Sequence, residues 1–145
     1  MKTAEATTKV LIADDSAVFR KLVEQTLEEK SYSLLFARNG QEAIDIFSRH
    51  NPDLVIADWV MPDLTGIELC EHIRRTAKES YTYVILLTEK TDKENTVAGL
   101  TAGTDDYLTK PFHPEELIAR TAVGRRIVGL QRQVQAKNVL LQDSR

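Results

Sequence analysis

Five residues hold most of the chemistry open to this chain: Asp14, Asp15, Asp58, Thr88 and Lys110. Each follows or closes a short strand-like run. Lys9–Ala13 precedes the Asp pair, Leu54–Ala57 precedes Asp58, Tyr83–Leu87 precedes Thr88, and Asp106–Thr109 precedes Lys110. Taken singly, each has an ordinary explanation: Asp caps helices, Thr ends strands, and Lys is a solvated charge. Gathered at one place, they specify something else. Three crowded carboxylates repel one another and raise their own pKa values unless a cation sits among them. Oxygen ligands without His or Cys suit a hard divalent ion, Mg²⁺ above all, which then recruits phosphate oxygens. A lysine and a hydroxyl would hold the same oxygens. An Asp carboxylate is also a nucleophile in its own right, and on phosphorus it forms an acyl phosphate.

The elements needed to gather these residues can be read from the punctuation of the chain. Short apolar runs bounded by turn residues are the mark of strands buried in a parallel sheet. The strands expected are 9–13, 33–37, 54–57, 83–87 and 106–109. Between them, apolar residues recur at helical spacing over 17–29, around Ala43, Ile44 and Phe47, and over 65–77. A fourth helix is expected from an Asp92 cap to Gly103, carrying Val97 and Leu100, and a fifth opens at Pro114-Glu115-Glu116. Ser16 or Asp15 would cap the first helix, and Asn51-Pro52 would stop the second. Five strands alternating with five helices imply right-handed βαβ units, an α/β three-layer sandwich. In such a sheet all carboxyl ends share one edge, where open α/β folds place their ligands.

Composition narrows the class. A chain of 145 residues with 42% hydrophobic and 28% charged residues suits one globular domain. The net charge of −3 argues against a dedicated nucleic-acid binder. The balance is uneven: from Ala119 onward six basic residues face Asp143 alone, a net +5, which leaves −8 on residues 1–118. A single cysteine, Cys70, excludes an internal disulfide and suits a reducing cytoplasm. On its helix it reads as a packed, inert thiol. His50, His72 and His113 show no metal-ligand spacing. No apolar stretch approaches a membrane span, and Met1–Thr8 lacks the apolar core of a signal peptide.

Asp14-Asp15, Asp58 with Met61-Pro62 and Gly66, Thr88, Asp105-Asp106-Tyr107 and Lys110-Pro111-Phe112 stand in an order that resembles the receiver domains of bacterial two-component response regulators. The resemblance covers roughly Lys9 to Arg120 and implies a flavodoxin-like fold with strand order 2-1-3-4-5. It implies Asp58 as phosphoacceptor, with a sensor histidine kinase or phosphotransfer protein as donor. Mg²⁺ would be held by Asp15, Asp58 and the backbone carbonyl of Val60, with Asp14 acting largely through water. Lys110 would pair with the phosphoryl oxygens, and its bond to Pro111 would be cis. Thr88 would hydrogen-bond the phosphoryl group, and the Tyr107 rotamer would follow it, passing the change to the face of the fourth helix, fifth strand and fifth helix. Glu89 departs from the pattern, since receivers place a small residue there. A carboxylate aimed inward would repel phosphate by on the order of 4 kcal/mol at ~4 Å and a dielectric of ~20, so Glu89 is expected to face solvent, paired with Lys90 or Lys93.

The expected organisation is a disordered extension over 1–8, the receiver over 9–120 and a helical extension over 121–145. In that extension Val123, Ile127, Leu130, Val134, Lys137 and Leu141 alternate spacings of four and three, as in a coiled-coil seam with Lys137 as a polar interruption. The alternative is a frayed surface helix, because Gly124 and Gly129 each cost about 1 kcal/mol against Ala. Ile127–Gln131 resembles connectors to output enzymes such as diguanylate cyclases or serine phosphatases. The expectation is a cytoplasmic signalling phosphoprotein that is not itself an enzyme, forms a weak homodimer through its last helix, acts on a possible output domain or effector, and touches neither nucleic acid nor membrane. Two rivals stand beside it. One is a receiver-like interaction module regulated without phosphorylation. The other is an Asp-nucleophile phosphohydrolase, disfavoured because Val60 stands where those enzymes keep a second acid.

Overall fold

A computed structural model describes residues 7–28, 31–76, 80–89, 97 and 102–143, with side chains described up to residue 137. Its strands are β1 (Thr8–Ala13), β2 (Tyr32–Ala37), β3 (Leu54–Asp58), β4 (Tyr83–Thr88) and β5 (Asp106–Thr109). The helices are α1 (Ala17–Leu27), α2 (Gly40–His50), α3 (Gly66–Thr76) and α4 (Pro114–Asp143). The helix expected from Asp92 to Gly103 lies almost wholly outside the described residues, so α4 is the one counted fifth in the sequence. Gly103, its expected stop, has φ +96°, a conformation glycine adopts without penalty. The strands are all parallel, in the order β2-β1-β3-β4-β5. This is the expected flavodoxin-like sheet.

The pleat sends alternate side chains to opposite faces, and both faces are buried. Leu11, Ala13, Val55, Ala57, Val84 and Leu86 pack with Ala43 and Phe47 of α2 and Leu69, Cys70 and Ile73 of α3. Val10, Ile12, Leu54, Ile56, Ile85 and Leu87 pack with Val23 and Leu27 of α1 and Leu117 and Val128 of α4. Each fully buried Leu, Ile or Val contributes ~1.5–3 kcal/mol, so the sheet centre anchors the fold.

Local signals set the helix ends. Ser16, rather than Asp15, caps α1, its hydroxyl accepting from the Phe19 N–H at 3.3 Å. Asn39 caps α2, and Asn51 closes it in the left-handed conformation with its N–H on Phe47 O at 3.1 Å. Asp63, far along the chain, accepts from the Gly40 and Gln41 N–H groups at 2.8 and 2.9 Å. The loop after β3 is thereby tied to the start of α2. No helix among the described residues is long and apolar enough to cross a membrane.

Two expectations at the ends need adjustment. Thr8 belongs to β1, because it pairs in register with Tyr32, so the N-terminal extension stops before it. Residues 1–6 lie outside the described residues. At the other end α4 passes residue 120 without a break, and its inward face stays buried at Leu117, Thr121, Gly124 and Val128. A Cβ on Gly124 would lie 2.6 Å from the Tyr83 ring and 3.1 Å from Leu54, so this glycine permits the helix to touch the sheet. Ile127, one of the seam positions, packs partly against the same core.

Candidate functional site

The carboxyl ends of β1 and β3 bring Asp14, Asp15 and Asp58 together, one oxygen from each lying within 4.8 Å of the others. Asp14 is fully buried, Asp58 is largely buried and Asp15 is exposed. Lys110, at the end of β5, is buried and sends its Nζ to Asp14 Oδ2 at 2.9 Å and Asp58 Oδ2 at 3.2 Å. Thr88 is buried at the end of β4, where its carbonyl accepts the Lys110 N–H at 2.9 Å. The Lys110–Pro111 bond is cis, as the resemblance implies.

Neighbouring residues hold this arrangement in place. Asp14 Oδ1 accepts the Ser16 N–H at 2.9 Å, and Arg20 donates to the Asp14 carbonyl at 2.7 Å. The Lys110 ammonium lies 4.0 Å from the centre of the Phe19 ring, a cation–π contact that limits its positions. Gly66 comes so close to the backbone of Asp58 that a Cβ there would lie 2.5 Å from the Asp58 carbonyl oxygen. Its N–H bonds the Trp59 carbonyl at 2.9 Å, which fixes the turn leaving β3. Phe19, Arg20 and Asp63 escaped the sequence reading, because ordinary helix and loop residues carry no mark of such long-range contacts. Gly66 was visible as part of the motif, but its reason, close backbone approach, was not.

The electrostatics are those of an unfinished site. Burial, and then the negative charge of Asp14, push the Asp58 carboxyl above its ordinary range, opposed by Lys110 and by the Val60 N–H. Asp14 Oδ2 is buried with no hydrogen bond, the Lys110 contact being an ion contact off the hydrogen-bond direction. One ammonium among three carboxylates leaves room for another cation. A hard divalent ion fits on three grounds: the oxygen-only donor set, the excess of three carboxylates over one ammonium and the raised Asp58. The Asp14 carboxylate, to which the resemblance gives a largely water-mediated role toward Mg²⁺, also meets Lys110 directly. Val60, whose carbonyl the resemblance adds to the metal set, exposes its side chain at the rim of the site.

The other residues singled out in the sequence lie nearby. Tyr107 stacks on Trp59, the residue after Asp58, with ring centres 6.4 Å apart and planes 22° from parallel. It pairs in register with Leu86, two residues before Thr88, so Tyr107 and Thr88 share one face of the sheet. Glu89 is exposed, as expected, while Lys90 and Lys93, its expected partners, lie outside the described residues.

Known proteins share this arrangement. The sequence profile of the response regulator receiver domain matches residues 10–122. The phosphate regulon transcriptional regulatory protein PhoB of Pseudomonas aeruginosa is 42% identical over 118 residues, 81% of this chain and 52% of that protein. The transcriptional regulatory protein ResD of Bacillus subtilis is 43% identical over 113 residues, 78% of this chain and 46% of its own. This chain thus spans about half the length of such relatives. Among solved structures, the chemotaxis response regulator CheY4 of Vibrio cholerae superposes with a TM-score of 0.77 at 32% identity, covering 82% of this chain and 99% of that one. The receiver domain of a LuxO repressor protein from Vibrio parahaemolyticus gives 0.83 at 26% identity, over 89% and 98%. The chain belongs to the response regulator receiver family, the phosphorylation-activated signalling modules of two-component systems.

Proposed function

We propose that Asp58 is the phosphoacceptor of this receiver and that Asp14, Asp15 and the Val60 carbonyl join it in holding Mg²⁺. The observation that carries the reading is the three-carboxylate cluster served by a single ammonium. An Asp58 oxygen attacks the phosphorus of a phosphohistidine on a sensor kinase or phosphotransfer protein. The new O–P bond forms as the N–P bond breaks, and the imidazole leaves with the electron pair and takes a proton. Lys110 stands beside Asp58 to meet the charge brought by the phosphoryl oxygens, and Thr88 supplies a hydroxyl. Mg²⁺, when bound, neutralises the same charge. The chain assists its own phosphoryl transfer and loss but turns over no separate substrate.

Thr88 and Tyr107 then carry the change towards β5 and α4. The exposed Leu130 and Val134 belong to a seam through which two copies associate weakly and in parallel. A cytoplasmic kinase as donor, and a transcriptional or enzymatic output acting through α4, complete the reading.

The test is labelling with acetyl phosphate and Mg²⁺. The chain is expected to gain one acid-stable, base-labile phosphoryl group, and Asp58→Asn to lose it while keeping its circular dichroism. Undiminished labelling of the variant would move the acceptor elsewhere.

A further inference from the structure

We infer that Arg132 and Asp53 form a latch that extends the grip of the receiver body along α4 and fixes which face of the helix is offered to a partner. Asp53 sits just before β3 and is almost fully buried. Its backbone is bound on both sides, N–H to the Lys9 carbonyl at 2.9 Å and carbonyl to the Tyr83 N–H at 3.0 Å, so it joins three strands. One carboxylate oxygen accepts the Lys9 N–H at 2.8 Å, and the other is paired with the Arg132 guanidinium. The Lys9 ammonium is engaged by the His50 carbonyl, and among the described residues Arg132 is the cation paired with Asp53.

Arg125, seven residues earlier, does the same kind of work. It stacks on Tyr32 at 4.1 Å and donates to Thr8 Oγ1 at 3.2 Å and to the Ser31 carbonyl at 3.0 Å. At 100° per residue, Arg132 lies about 160° around the helix from both Leu130 and Val134. Clamping the arginine side inward therefore turns these two apolar residues outward, where they are 55% and 54% exposed. Arg125 and Arg132 are thereby both held on the side of α4 away from Leu130 and Val134, with Gln131 and Gln133 nearer to the seam and Lys137 within it.

Hydrogen exchange of the full chain, diluted until light scattering reports a monomer, tests the latch. Arg132→Ala and Asp53→Asn are expected to lower amide protection over residues 129–136 by about two- to fivefold, the range open to an ion pair with one exposed partner. Protection over 115–124 should stay unchanged, and Arg132→Lys should retain part of the effect. Helix propensity alone moves the result the other way, because Ala is the better helix former. Unchanged or increased protection in Arg132→Ala overturns the latch. The orientation of the seam rests on the pairing proposed above. Light scattering at high concentration reads that pairing separately, so its failure leaves the exchange result intact.

Discussion

The two ends of the sheet both bury carboxylates against cations, and they do so in opposite ways. At the amino-terminal edge Asp105 takes the Tyr81 hydroxyl on one oxygen and, on the other, Arg74 at 2.8 Å and the Val84 N–H at 2.7 Å. Arg74 spends its remaining donors on the carbonyls of Gly103 and Thr82. Asp53 is equally well supplied. At the carboxyl-terminal edge one lysine serves a cluster of three acids, and an oxygen of Asp14 has no hydrogen bond. A structural acid is one whose partners are all present in the chain. A functional acid is left short of partners, and what it lacks describes its ligand.

The contrast breaks most readily at Asp105. Asp105→Ala takes the carboxylate from Arg74 and the acceptor from the Tyr81 hydroxyl and the Val84 N–H, and is expected to cost about 3 kcal/mol in urea unfolding. A loss below about 1 kcal/mol would mean that this edge is no better satisfied than a surface ion pair. Next come the two glycines of α4. Gly124→Ala pushes a methyl group into Tyr83 and is expected to cost about 1–3 kcal/mol. Gly129→Ala meets nothing within 4 Å and should gain up to ~1 kcal/mol. Equal effects would dissolve the distinction between packed and free halves of the helix.

The metal sharpens the other edge. Mg²⁺ at ten times its Kd stabilises a single-site protein by about 1.4 kcal/mol, and Asp15→Ala should lose most of that gain in thermal melts. A melt that Mg²⁺ leaves unmoved in the wild type would end the metal assignment. The smallest effect is a pH slope. The Asp58 carboxyl is raised in the fold, so between its ordinary and folded pKa values the native state holds more protons than the unfolded one. Without metal, this group therefore makes stability fall as pH rises, and acidification recovers it. The difference between wild type and Asp58→Asn isolates this contribution, which should vanish when Mg²⁺ is added.

The carboxyl-terminal edge was legible in the sequence because strand ends are punctuated. Apolar runs stop at Asp14, Asp58, Thr88 and Lys110, and a parallel sheet brings such stops together. The amino-terminal edge was not legible. Arg74, Asp105, Arg132 and Asp53 pair across 31 and 79 residues, and no period or motif announces a contact at that separation. Gly124 shows the same limit in reverse. Read along the helix it is only a poor helix former, and its role appears once β3 and β4 lie beneath it. Ile127 was assigned to the outward seam from spacing alone, whereas the sheet claims part of its surface.

The unbroken run of α4 has a mechanical consequence. At 1.5 Å per residue, the helix extends about 21 Å from Pro114 to Val128, the last buried position among its described side chains, and about 23 Å from there to Asp143. If the rod pivots at Val128 the two arms are nearly equal, and a shift beside Lys110 reappears at the far end reversed and undiminished. Holding Arg132 moves the fulcrum outward and makes the arms about 27 and 17 Å. The same input then yields roughly two-thirds of the travel. In the reading proposed above, the ion pair between Arg132 and Asp53 would set the ratio of movement between the two ends of α4.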